Sequence, residues 1–169
     1  MPFAVVVSEV EEDVRPGEPA EAAAQRLAEA KAAAVAARVA LPVIGADTVV
    51  ACDGSILGKP ASDAEAARML RQLSGRTHEV ITGVCVARRE AVRTGFERTA
   101  VTFAALSDAQ IEWYVATGEP RDKAGAYHVD GRGALFITRV EGSPSNVAGL
   151  PVGLVRRLAR DAGVDLGLP

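Results

Sequence analysis

Two charged side chains stand in or beside apolar sequence at a spacing that could do chemistry. In the stretch Gly45–Pro60 (GADTVVACDGSILGKP), Asp47 interrupts a strand-like run and Lys59 follows the next short apolar run. The Asp53-Gly54 pair between the runs signals a tight hairpin, because such a turn needs positive φ. Folding the runs back brings Asp47 and Lys59 toward the same open end. An acid and an ammonium placed together there could hold a metal and a phosphate. A lone aspartate within an apolar strand is costly to bury without a partner. For Asp47 the functional reading therefore leads.

Other polar groups fall in loops or at the ends of extended runs, where a scaffold presents functional residues. They are Glu12, Arg76, His78, Asp122 and Lys123. Each has an ordinary explanation. Glu12 is one of several acids before a helix, Arg76 and His78 fit a solvated turn, and Asp122-Lys123 fits a surface ion pair of small energetic worth. Lys31 is harder to place, because it falls inside an apolar helical stripe. Its stem could snorkel to solvent, or its ammonium could point into a site, and the pattern leaves both open. The chain has no Walker-type phosphate loop, no Gly-x-Gly-x-x-Gly and no Gly-x-Ser-x-Gly. Carboxylates and lysines remain, a set suited to metal-assisted hydrolysis of a polyphosphate. Carboxylate oxygens hold Mg²⁺ or Mn²⁺, and lysines neutralise phosphoryl charge.

The elements that must position these groups follow from periodicity and punctuation. Phe3–Val10 reads as a short strand, and Pro19 to about Ala40 as an alanine-rich helix. Its stripe is Ala20, Ala24, Leu27, Ala28 and Val35, with Arg38 near its end as a cation suited to the helix dipole. After the hairpin, Ser62-Asp63-Ala64-Glu65 is a capping box opening a helix to about Leu73. His78–Arg88 and Val92–Phe103 read as antiparallel strands. Ser107-Asp108-Ala109-Gln110 is a second capping box, with a helix to about Thr117. Glu119–Gly133 reads as loop, Ala134–Val140 as a strand, Gly142–Gly149 as loop, and Leu150-Pro151 as the start of a last helix. The order implies an α/β fold, a mixed sheet with helices on its faces, as a single domain over residues 1–169.

Composition narrows the function classes. The chain has 169 residues, 49% of them hydrophobic, enough for a sizeable core. A formal net charge of −3 argues against nucleic acid as the main partner. No apolar run suggests a membrane span, and the first residues lack the basic flank of a secretory signal, which points to the cytoplasm. Cys52 and Cys85 fit buried free thiols better than a disulfide or zinc site. Two histidines make a histidine-based zinc centre a poor fit.

Five ordered segments carry a more specific message: GADTVV (45–50), GKP (58–60), LSGRTHEVITGV (73–84), TGEPRDKAGAY (117–127) and EGSPSNVAGLP (141–151). Together they resemble the Maf family of nucleoside triphosphate pyrophosphatases over almost the whole chain. The resemblance implies a fold related to the inosine triphosphate pyrophosphatases and a homodimer. It implies hydrolysis of nucleoside triphosphates to monophosphate and pyrophosphate with Mg²⁺ or Mn²⁺. Asp47 then matches the catalytic acid, as metal ligand or as base for the attacking water, and Glu12 its acidic partner and second metal ligand. Lys31 and Lys59 match triphosphate-binding lysines. Thr48 and the Asp122-Lys123 segment match the subgroup acting on dTTP and UTP.

Two departures accompany the resemblance. Family members usually begin with a strand running into Ser-x-Ser-Pro-Arg-Arg, and this sequence contains no such motif, so an N-terminally truncated form is expected. His128-Val129-Asp130 stands where the subgroup usually reads Gly-Ile-Gln, which alters the hydrogen-bonding groups near the base. Missing phosphate-gripping arginines would suit a non-catalytic, division-linked binding protein of the same fold. Retention of Glu12, Lys31, Asp47 and Lys59 suits the enzyme.

Overall fold

Alternating apolar and β-branched residues in the middle of the chain build a five-stranded sheet. The computed structural model describes residues 3–167. The strands are β1 (Val43–Cys52), β2 (Ser55–Leu57), β3 (Thr77–Arg88), β4 (Ala91–Phe103) and β5 (Ile137–Glu141), in the order β2-β1-β3-β4-β5. The α/β arrangement with flanking helices is as expected. The mixture of strand directions is not: among the described residues every ladder is antiparallel. Two of the four ladders are hairpins, β1–β2 and β3–β4, and the β2-to-β3 connection returns the chain beside β1 in the opposite sense. The β1–β2 turn is built as expected, with φ of 49° at Asp53 and 75° at Gly54.

Sequence periodicity places a helix against each face. The alanine stripe of α1 (Ala20–Ala36) buries Ala24, Leu27, Ala28, Ala32 and Val35. Against it lie the odd-numbered positions of β1 and β3, including Val43, Val49, Ile81 and Cys85. The opposite face packs Val84 and Val86 on Leu154, Val155 and Leu158 of α5 (Val152–Asp161). Beyond it, α2 (Asp63–Leu73) and α3 (Asp108–Ala116) close the largest cluster with Val50, Leu70, Val80, Phe103 and Phe136.

Two glycines set how closely α1 approaches the sheet. A Cβ on Gly45 would overlap the Ala28 carbonyl, and one on Gly83 would overlap the Ala24 carbonyl. Small helix residues facing glycines in two adjacent strands let backbone meet backbone. That approach carries the side chain of Lys31 to the neighbourhood of Asp47, which pairs with Gly83 in the ladder.

Several local expectations change. Phe3–Val10 forms no strand; Phe3, Val5 and Val7 are exposed, because strand pairing is decided by an available neighbour and not by composition. Arg38 lies just past the end of α1. It donates to the Ala34 carbonyl, as a dipole-matched cation should, and also to Val7 O at 2.8 Å, tying the N-terminal segment down. The Ser62 box is half made: Ser62 Oγ accepts from Glu65 N, but the Glu65 carboxylate turns to the amide of Ala61. The Ser107 box is complete. The 142–149 loop contains a short helix, α4 (Pro144–Val147), capped by Ser143. A 3₁₀ segment, Arg132–Phe136, delays β5 to Ile137. Cys52 and Cys85 are buried free thiols, and burial pushes the Cys85 thiol up to about 11.

Candidate active site

β2 pairs only with Val50–Cys52, so on that side residues 43–49 of β1 have no strand partner among the described residues. A cavity of about 360 Å³ opens beside this bare edge, within the range of small-molecule sites. Successive strand residues point to opposite faces. Asp47 therefore faces α1, Thr48 faces the α4 turn, and both reach the cavity at the edge.

The expected residues meet here. Lys31 Nζ lies 2.5 Å from Asp47 Oδ1 and 2.6 Å from Glu12 Oε1, and Lys59 Nζ lies 2.6 Å from Glu12 Oε2. The four charges alternate in one chain, Asp47–Lys31–Glu12–Lys59. Lys31 is thus no snorkelling surface lysine; its ammonium sits between two carboxylates. Asp122 and Lys123 line the same cavity, with no ion pair joining them among the described residues. His128 and Val129 line it too, whereas Asp130 does not.

Burial and pairing divide the charges. Burial holds the Asp47 carboxyl above its ordinary value, against the opposing pull of Lys31. Burial alone would lower Lys31, but its two carboxylates more than offset this and hold it above the usual lysine range. Glu12 also feels burial, yet its hydrogen bonds to Lys31 and Lys59 hold it below the usual carboxylate range. The asymmetry has a geometric cause: Asp47 is only 7% exposed and has one lysine, whereas Lys31 has two acids. Asp47 is therefore the group held away from its solution value in the direction of a proton acceptor with real affinity.

Glu12 and Asp47 also bring carboxylate oxygens to the cavity that could hold a cation. Among the described residues no group of three or more His, Cys, Asp or Glu side chains gathers. Two carboxylates are the usual protein share of a Mg²⁺ site that water and substrate phosphate complete. The donor set fits a hard divalent cation bound together with a polyphosphate.

Arg76 and His78 take other places. Arg76 pairs with Asp53 at the hairpin turn. His78 is in the core, its ring edge-on to Phe103 and Tyr127, with Nε2 at 2.9 Å from Tyr127 Oη. Burial pushes its imidazole down to about 4. A histidine held neutral in the fold contributes stability that is fully present above its unfolded value of 6.5 and is lost as pH falls toward 4. The shift of 6.5 to about 4 corresponds to about 3 kcal/mol. We expect chemical denaturation at pH 7 and pH 4 to show a loss smaller by about that amount in His78→Gln than in the wild type. An equal loss in both would remove His78 from the acid response.

Residues that the sequence pattern did not single out complete the wall. Tyr127 lines the cavity, and Val147, Ala148 and Gly149 close it from the α4 turn. Thr82 and Asn146, fully buried, stand behind Thr48. Their one visible signal was polarity inside apolar or glycine-rich sequence. A larger recess, about 690 Å³, runs along Arg156, Arg157 and Arg160 of α5; none of the candidate residues reaches it. No helix among the described residues is long and apolar enough to cross a membrane.

The chain is similar to known proteins along almost its whole length. The chain is 52% identical to the dTTP/UTP pyrophosphatase of Moorella thermoacetica, covering 98% of this chain and 87% of that protein. It is 50% identical to the dTTP/UTP pyrophosphatase of Deinococcus radiodurans, over 98% of this chain and 85% of the relative. A similarly named protein of Anaeromyxobacter is 51% identical over 92% and 77%. The family described as Maf-like protein matches residues 1–162, so nearly every element that shapes the cavity falls within the match, and the chain belongs to the Maf family.

Proposed function

We propose that this chain hydrolyses dTTP and UTP to the nucleoside monophosphate and pyrophosphate. The observation that carries the reading is the alternating chain Asp47–Lys31–Glu12–Lys59 at the mouth of a nucleotide-sized cavity. Relatives of about half-identical sequence bear that activity in their names.

Lys31 and Lys59 exchange their carboxylate partners for triphosphate oxygens, which takes up charge where it builds during phosphoryl transfer. Glu12 and Asp47 are thereby released and would hold Mg²⁺ or Mn²⁺. When bound, such a cation neutralises phosphate charge and polarises the phosphoryl oxygen. Asp47 serves as ligand or accepts the proton of the attacking water, a role its burial suits. Asp122 and Lys123 contact the substrate at the rim, and Thr48 contacts the base. The enzyme acts in the cytoplasm as a homodimer.

The test is pyrophosphate release from UTP, dTTP, CTP and 7-methyl-GTP, before and after treatment with EDTA. UTP and dTTP should be the best substrates, and EDTA should abolish turnover until Mg²⁺ or Mn²⁺ is restored. Preference for 7-methyl-GTP, or full activity in EDTA, would overturn the reading.

A further inference from the structure

The hydroxyl of Thr48 is the polar side-chain group that β1 offers to the cavity on its α4 face. Which way its single proton points decides what it can recognise. A hydroxyl has one hydrogen to give and two lone pairs to accept with. Thr48 Oγ1 lies 2.9 Å from Thr82 Oγ1, and Thr82 Oγ1 lies 3.0 Å from the Asn146 carbonyl oxygen. A carbonyl only accepts, so Thr82 gives its proton to Asn146. Thr82 then has only lone pairs for Thr48, and Thr48 must donate to it. If Thr82 gave its proton to Thr48 instead, its oxygen would face the Asn146 carbonyl at 3.0 Å with no hydrogen between them. Thr82 is fully buried, so water cannot repair that mismatch.

The carbonyl that fixes this order is itself held firmly. The Asn146 amide donates to Val80 O at 3.0 Å and to Thr99 Oγ1 at 2.9 Å, and the side chain is fully buried. The same carbonyl accepts the Gly149 amide. A side chain on Gly149 would place its Cβ 3.4 Å from Thr48 Oγ1, so glycine there keeps the hydroxyl open.

We propose that Thr82, which touches no substrate, fixes Thr48 as an acceptor toward the cavity and thereby favours bases with an N3–H over cytosine. Uracil and thymine carry a hydrogen on N3 and donate to Thr48. Cytosine carries a lone pair on N3 and sets acceptor against acceptor. Thr82 is a positioning residue in this scheme, and the inference rests on the proposed nucleotide site. Removing its hydroxyl frees Thr48 to rotate and donate, which removes the discrimination without touching the phosphate end.

The experiment measures dissociation constants by calorimetry for α,β-methylene-UTP and α,β-methylene-CTP, which cannot be cleaved between their first two phosphorus atoms. The wild type should bind the uridine analogue more tightly. In Thr82→Val the ratio should narrow by about tenfold, and Thr82→Ser, which keeps the hydroxyl, should retain the wild-type ratio. Thr82→Ala makes the same test with a smaller side chain should valine fail to fold. An unchanged ratio in a folded Val or Ala variant overturns the inference, as does a ratio lost equally in Thr82→Ser. Binding with the expected ratios but no turnover of UTP would sink the catalytic reading and leave this one standing. Binding of neither analogue would sink both.

Discussion

Asp47→Asn lowers kcat/KM for UTP by about 10²–10⁴ while leaving the protein as stable as the wild type, or more so. The two halves of this result come from one property. Burial raises the Asp47 carboxyl above its ordinary value, so the fold prefers the neutral form. A group raised in this way contributes stability that is present below its unfolded value of 3.8 and is lost as pH rises through its folded value. At neutral pH the charged carboxylate is therefore a net cost to the fold. Asparagine has nearly the same shape, still accepts from Lys31, and removes that cost. It cannot take a proton from water or hold a cation as a carboxylate does. Lys31 keeps Glu12 at 2.6 Å, so the variant leaves no buried ammonium unpaired. Paired measurements of UTP turnover and thermal unfolding check both halves. Full activity, or a large fall in stability, contradicts the role given to Asp47.

Gly83→Ala destabilises the protein by about 3 kcal/mol or more, roughly a 6–12 °C fall in Tm for a chain of this size. The new methyl group would overlap the backbone of Ala24 and Gln25 on α1, and backbone cannot rotate aside. Relief requires α1 to lift from β1 and β3. Lifting also carries Lys31 away from Asp47, so residual activity in any folded fraction should fall too. Gly58→Ala is the control, because nothing lies within 4 Å of a Cβ there. Equal melting temperatures for the two variants would show that α1 does not depend on this close approach.

The site was legible in sequence where chemistry and pattern disagreed. Asp47 stood out because an aspartate does not belong in an apolar strand, and Lys31 because a lysine does not belong in an apolar stripe. Both meet in one ion pair. The hairpin was legible because Asp53-Gly54 supplies the positive φ that its turn needs. His78 was misread as a solvated turn residue. Its neighbours Arg76 and Thr77 are exposed, and nothing local says that the next side chain turns inward onto Tyr127 and Phe103. Phe3–Val10 failed for the opposite reason, since a short apolar run cannot tell whether a partner strand will be there. The pairing of Thr82 with Asn146 left no sequence signal beyond their polarity, because they lie 64 residues apart and act only together. The closeness of α1 to the sheet rests on Gly45 and Gly83, which carry no periodic signal of their own.

The most direct measurement is the product balance of UTP hydrolysis by the purified chain with Mg²⁺. UMP and pyrophosphate should appear in equal amounts with no orthophosphate, and both should vanish together in Asp47→Asn. Release of orthophosphate and UDP, or no turnover of UTP or dTTP at all, would contradict the assignment of this site.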